Sequence, residues 1–205
     1  MNVERINTYR DPRFSQGVLN QHGCFLVEGE PYEVEIISTR EAVVRGRRAE
    51  AFPALIEEFR FYTPHITTFF DENHNIVDTF PPMPLLTLRL EDIQPSQFYV
   101  DLDKMDAVRE FIRFGEDIII QVLKHDGRYI ALDGHTRLYY AVMMGWTEVR
   151  AVEEASGDYI FDFVEEARRR NIRSPFDLEP LDHNTYEQKW NRFCDDFFAQ
   201  RESGA

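Results

Sequence analysis

The chain has 205 residues, 43% of them hydrophobic and 17 of them Phe, enough to fill a sizeable core in one decorated domain or two small ones. Its formal net charge is -14, and the acid excess is even: 8 basic against 13 acidic residues in 1–82, 8 against 13 in 83–155, and 7 against 11 in 156–205. This excludes a broad basic face for a nucleic-acid backbone and argues against DNA as a partner.

Cys24 and Cys194 are isolated and form no metal or redox spacing, as expected of two ordinary thiols in a reduced, cytoplasmic protein. The start, Met1-Asn2-Val3-Glu4-Arg5, lacks the charged-then-apolar layout of a leader. No apolar run approaches the ~20 residues that cross a bilayer, so no membrane partner is expected.

Residues 23–46 read as a β-meander. Cys24-Phe25-Leu26-Val27 is apolar, Glu28-Gly29-Glu30-Pro31 is a turn, Tyr32–Ile37 alternates with period two, and Ala42-Val43-Val44 follows. Pro53 opens a helix with Leu55, Ile56, Phe59 and Tyr62 on one stripe. The stretches 65–70 and 76–80 flank Asp71-Glu72-Asn73-His74-Asn75 as a hairpin. His65 and His74 beside Asp71 and Glu72 match no metal-ligand spacing, and no metal site is assigned. Arg45, Arg47 and Arg48 read as a solvated turn.

Three prolines in Pro81-Pro82-Met83-Pro84 can continue neither a helix nor a central strand, and mark a domain seam. Beyond it, Leu85–Leu90 reads as a strand and Pro95-Ser96-Gln97-Phe98-Tyr99 as a loop. Asp103–Phe114 reads as a helix with Asp103 as its cap and Gly115 past its end. Ile118–Leu123 is a buried strand, Asp126-Gly127 a hairpin turn, and Arg128–Leu132 the partner strand. A helix with Leu138, Ala141 and Val142 on one face stops at Gly145, and Glu148–Glu153 is a last strand. Two amphipathic helices close the chain. Asp158–Arg170 carries Ile160, Phe161, Val164 and Ala167; Tyr186–Phe198 carries Tyr186, Trp190, Phe193 and Phe197. Their faces suit packing on the body or on a second copy, giving a homodimer. Arg168-Arg169-Arg170 sits where cations offset a helix dipole.

The chemistry is concentrated where an apolar strand runs through Asp133-Gly134-His135-Thr136-Arg137 directly into a helix. A helix start leaves its first amides without partners and favours negative charge. Gly134 admits a positive φ or close ligand approach. Arg137 offers a planar fork of donors for phosphate oxygens, Thr136 a hydroxyl, and His135 a ring that moves a proton near neutral pH. Together they form an anion pocket with phosphate as the natural occupant. Asp133 needs another role there: holding Arg137, accepting a hydroxyl proton, or joining a phosphate in binding a metal. The plainer alternative makes Asp133 a helix cap, worth ~1 kcal/mol, and Arg137 its ion-pair partner.

The order of elements together with this motif resembles the ParB/sulfiredoxin superfamily domain over about 84–155, roughly a third of the chain. A short strand precedes the Pro-containing loop Ile93-Gln94-Pro95-Ser96-Gln97. Then come a helix, a strand, an Asp-Gly hairpin, a strand ending in Leu132-Asp133-Gly134-His135-Thr136-Arg137, a helix with Ala141 and Gly145, and a short strand. The resemblance implies an α+β fold: a ParB/sulfiredoxin-like core at 84–155, a β-rich module at 1–82 before it, and a helical extension at 156–205 after it.

The resemblance also implies nucleotide binding through the motif. Sulfiredoxins carry a reactive cysteine beside the motif histidine and use ATP; this chain has no cysteine between 25 and 193. Chromosome-partition ParB proteins carry Gly-Glu-Arg-Arg, bind CTP and read DNA through a following helix-turn-helix; here those positions are Gly134-His135-Thr136-Arg137, and the tail is short and acidic. Free-serine kinases carry Asp-Gly-His-His-Arg, nearest to this motif, with Thr136 replacing the second histidine. Their general base is a carboxylate in the loop after the first strand. Here Gln94–Tyr99 offers Ser96 and Gln97 and no acid, while Asp92, Asp101 and Asp103 flank it.

The expected site therefore has Asp133 and His135 as catalytic groups. Gly134, His135, Thr136, Arg137, Ser96 and Gln97 hold phosphate, and ATP, ADP or CTP arrives with Mg²⁺. Three functions follow from the same pocket: phosphotransfer, ligand-gated interaction without turnover, and ParB-like DNA binding or cleavage, the last disfavoured by charge.

Overall fold

The alternating run at Tyr32–Ile36 does form the centre of a sheet. In the computed structural model, which describes residues 1–203, the chain divides into two compact units, the first ending at Leu85. The first unit is a six-stranded sheet with its strands in chain order: β1 (Val3–Arg5), β2 (Cys24–Val27), β3 (Glu30–Ile36), β4 (Glu41–Gly46), β5 (Thr68–Phe70) and β6 (Ile76–Thr79). Neighbours are antiparallel except β4 and β5, which are parallel. A parallel pair needs a long crossover, and α2 (Phe52–Tyr62) supplies it. Leu55, Ile56 and Phe59 of that helix are buried with Phe25, Val34, Ile66 and Phe69.

The turn from β2 to β3 is tighter than expected. Only Glu28 and Gly29 lie outside the strands, with φ of 51° and 81° as a two-residue hairpin requires, and Glu30 and Pro31 already belong to β3. A short helix α1 (Gln16–Asn20) buries Val18 and Leu19 beside Phe14 and Cys24. The hairpin tip between β5 and β6 is built on Asp71. One of its oxygens accepts the amides of Asn73 and Asn75, and the other accepts Nδ2 of Asn75.

The second unit is a five-stranded mixed sheet in the order β7 (Leu86–Arg89), β12 (Glu148–Glu153), β10 (Ile119–His125), β11 (Arg128–Ala131), β8 (Ile93–Pro95). The β10–β12 and β11–β8 pairs are parallel. A second small sheet pairs β9 (Tyr99–Asp101) with β13 (Glu179–Leu181). Helices α3 (Leu102–Phe111), α4 (His135–Met143) and α5 (Tyr159–Arg169) pack with the strands. The C-terminal run is α6 (His183–Tyr186), one π-helical segment at Glu187–Asn191, and α7 (Arg192–Ser203). The core joins Leu88, Ile93, Ile120 and Val122 of the sheet to Met105, Leu138 and Ala141 of the helices. The chain is thus an α+β protein. Among the described residues no helix is long and apolar enough to cross a membrane.

Several local expectations change. Ile93-Gln94-Pro95 is a strand rather than part of a loop. Its proline is tolerated because β8 is an edge strand, bonded on one side only. The cap of α3 is Asp101, whose carboxylate accepts the Asp103 amide; Asp103 lies inside the helix. The helix ends at Phe111, before Gly115, which opens a separate turn held by Asp117. In α5 the fourth core residue is Phe163, 6% exposed, while Phe161 is 37% exposed.

The last helical run packs on the second unit itself. Trp190 and Phe193 lie against the main core, and Phe197 and Phe198 against Phe163.

Candidate functional site

Because β8 and β11 run parallel, with Ala131 opposite Pro95, their carboxyl ends open on the same side of the sheet. In α/β sheets ligands gather outside the carboxyl ends of strands. There the chain after β11 turns through Leu132, Asp133 and Gly134 into α4, while the chain after β8 turns at Ser96. Leu132 stays tied to the sheet through its amide, which donates to the Gln121 carbonyl at 2.9 Å.

Gly134 is the N-cap of α4, with φ 84° and ψ 21° in the left-handed region, and no side chain caps the helix. Two constraints demand glycine. The positive φ strains any L side chain, and a Cβ here would lie 2.6 Å from Cγ2 of Ile120 and 3.0 Å from Nη2 of Arg137. The Arg137 guanidinium therefore folds over the turn through the space that a side chain would occupy. Its Nη1 donates to the Ile119 carbonyl at 2.6 Å, and its Nη2 donates to Oδ2 of Asp133 at 3.0 Å. The Asp133 side chain is 57% exposed and that of Arg137 23%. Asp133 thus serves to hold Arg137, one of the three roles expected for it, and it remains open to solvent. Thr136 is half-buried on the next position of the turn.

His135 is not at the surface. It is 5% exposed, and its Nε2 accepts the Ser96 amide at 3.2 Å. That bond assigns the lone pair to Nε2 and the proton to Nδ1. Burial pushes its pKa down to about 4, against the opposing pull of Asp133, with the Arg137 charge adding to the depression. Ser96 is equally internal: its hydroxyl donates to the Ala131 carbonyl at 2.7 Å. Ser96 and His135 therefore stitch the end of β8 to the start of α4. Gln97 points elsewhere, its amide nitrogen donating to the Tyr186 hydroxyl at 3.2 Å and to the Tyr99 carbonyl.

Asp133, Gly134, His135, Thr136, Arg137 and Ser96 thus come together, and Gln97 is committed to the C-terminal helices. Two groups escaped the sequence. The Ile119 carbonyl that anchors Arg137 is a backbone atom with no side-chain signature. Asp101, a flanking acid in the sequence, is a 1% exposed carboxylate bonded to His183. Among the described residues no group of three or more His, Cys, Asp or Glu is disposed to hold a metal ion. Cys24 and Cys194 are free thiols whose pKa values burial raises to about 12 and about 11, far from a reactive thiolate.

No family model matches the chain, and no curated protein matches it. Among solved structures it is similar to protein Atu1540 from Agrobacterium tumefaciens. The TM-score is 0.36 and the identity 18%, over 47% of this chain and 62% of that one.

Proposed function

We propose that the second unit is a ParB/sulfiredoxin-like domain that binds a phosphate-bearing small molecule, a nucleotide such as ATP, ADP or CTP, at the first turn of α4. The observation that carries this reading is the start of that helix. It has no side-chain cap and begins on a left-handed glycine, and an arginine anchored by the Ile119 carbonyl lies over the turn. A nine-residue helix favours an anion at such an end, and a guanidinium adds planar, charge-assisted donors beside it. Mg²⁺ brought by the nucleotide needs only one or two protein carboxylates in addition to phosphate oxygens, and Asp133 is the exposed carboxylate at hand.

Two versions of this function differ in turnover. In phosphotransfer, an acceptor hydroxyl attacks the terminal phosphorus as its bond to the departing, shortened nucleotide breaks; Asp133 takes the hydroxyl proton, Mg²⁺ is then held by phosphate oxygens and water, and the rest of the catalysis is positioning and charge stabilisation. In the second, ligand binding gates an interaction without chemistry. The buried His135 favours the second: its acceptor nitrogen is already filled by the Ser96 amide, so it stands as an internal anchor rather than a proton carrier.

Titration calorimetry of ATP, ADP and CTP with Mg²⁺, on wild type and Arg137→Ala, tests the reading. A nucleotide that binds wild type and is weakened at least tenfold in the variant supports it; tenfold corresponds to about 1.4 kcal/mol. No binding of any of the three to a folded wild type leaves Asp133 and Arg137 as a structural ion pair, since no side chain caps the helix. Turnover of a bound nucleotide, with an acceptor hydroxyl or water, then separates the two versions.

A further inference from the structure

The C-terminal helices are fastened to β9 through a histidine–carboxylate pair. Asp101, the last residue of β9, is 1% exposed. One of its oxygens accepts the Asp103 amide at 3.0 Å, and the other accepts Nδ1 of His183, the first residue of α6, at 2.8 Å. A buried carboxylate without compensation is costly, so both bonds matter. The imidazole is half-exposed, and its Nε2 lies 3.6 Å from Oε1 of Glu187 in the π-helical segment.

The other charges around it are few. Asp103 of α3 adds a negative field, and Asp182 is turned to the amide and hydroxyl of Thr185. Lys104 and Lys189 lie over the rings of Tyr186 and Tyr99 at 5.0 and 5.5 Å. Every carboxylate facing the ring therefore favours its protonated form. The remaining ties are of mixed kind: the Tyr186 hydroxyl accepts from Gln97, Trp190 meets Phe98 at a ring separation of 4.8 Å, Arg170 lies over the Phe193 ring at 5.8 Å, and Arg201 of α7 pairs with Asp162 of α5 at 2.6 Å.

We propose that the Asp101–His183 pair is a proton-operated clasp holding the C-terminal helices on residues 97–101. The bond to Asp101 raises the His183 pKa above its ordinary value; desolvation opposes it, and the fields of Asp101, Glu187 and Asp103 add to the rise. A raised folded-state value means that the contribution is complete below the ordinary histidine pKa of ~6.5 and is lost as pH rises through the raised value. Above it the neutral ring still donates Nδ1–H, but the positive charge that offset the buried carboxylate is gone, and the helices loosen. The clasp stands without the nucleotide reading.

The chain has two tryptophans, so a Trp146→Phe background leaves Trp190 as the only reporter of the docked helices. Its emission maximum and acrylamide quenching, followed from pH 6 to 9 with far-UV circular dichroism, test the clasp. The expected result is a red shift and roughly a twofold rise in quenching through one titration. In His183→Gln, whose amide still donates to Asp101 but carries no charge, the profile should be flat. The same titration in His183→Gln, or none in either protein, overturns the proposal. If His183→Gln does not fold, hydrogen exchange of the wild type decides, corrected for the intrinsic effect of pH. Faster exchange confined to 183–203 at high pH supports the clasp, and uniform or unchanged exchange overturns it.

Discussion

His135 shows how one residue changes meaning between a string and a structure. In the sequence it stands between a glycine and a threonine at a helix start, where an imidazole looks available for proton transfer. In the fold it is buried and neutral, bonded to the Ser96 amide. This has a consequence for stability. A folded-state pKa of about 4, below the ordinary ~6.5, means that the unfolded chain binds the extra proton between those values. Stability from keeping the ring neutral is complete above pH 6.5, erodes as pH falls, and is gone below about 4. The total is on the order of 3 kcal/mol. Urea unfolding of wild type and His135→Gln from pH 7 to 4.5 checks this. Both lose stability as carboxylates titrate, but wild type is expected to fall more steeply, because Gln offers Ser96 an acceptor that does not titrate. Parallel curves would show that the imidazole is not held neutral by the fold. The motif around His135 was legible because glycine, aspartate and arginine at those spacings each carry local chemistry. The inward direction of the Ser96 hydroxyl was not, because it depends on β8 lying parallel beside β11.

At the scale of single elements, α5 shows where periodicity is ambiguous. Phe161 and Phe163 are two residues apart, on well-separated sides of a helix, and either completes an apolar set with Ile160, Val164 and Ala167. The structure chooses Phe163, which meets Trp190, Phe193, Phe197 and Phe198 with ring separations between 4.6 and 5.9 Å. Phe161 instead lies 4.6 Å from the His125 ring at the exposed end of β10. Phe163→Ala is expected to cost about 3–5 kcal/mol and Phe161→Ala about 1 or less, measured by denaturant unfolding. Equal costs would mean that the C-terminal helices do not seal over α5 in solution. The choice was hidden in the sequence because it is made by α7, a helix distant in the chain. The cap of α3 moved for a related reason. Asp101 and Asp103 are equally good capping residues locally, and Asp101 is selected where β9 ends.

At the scale of the whole molecule, the main cores on either side of Leu85 share no residue. One is built from Phe25, Val34, Leu55, Phe59 and Phe69, the other from Leu88, Ile93, Ile120, Leu138 and Ala141. Each closes its own sheet, so a fragment of residues 1–85 and one of residues 86–205 are each expected to unfold cooperatively in thermal circular dichroism. A fragment without a transition would show that its core needs the rest of the chain.

What the sequence determined by itself was local or periodic. Alternation at Tyr32–Ile36 and the β-branched pair Ile119-Ile120 make strands. Asp126-Gly127 makes a tight turn because both residues accept a positive φ, and Pro81-Pro82-Met83-Pro84 interrupts regular structure because proline lacks an amide hydrogen. Gly134 before an amphipathic run sets a helix start with unpaired amides. Tertiary structure decided the rest, through partners far apart in the chain. Ile119 aims Arg137 from 18 residues away, Ser96 locks His135 across 39, and Asp101 takes up His183 across 82. A hydrogen bond or buried charge is settled by what lies opposite it in space, and propensity along the chain carries no record of that neighbour.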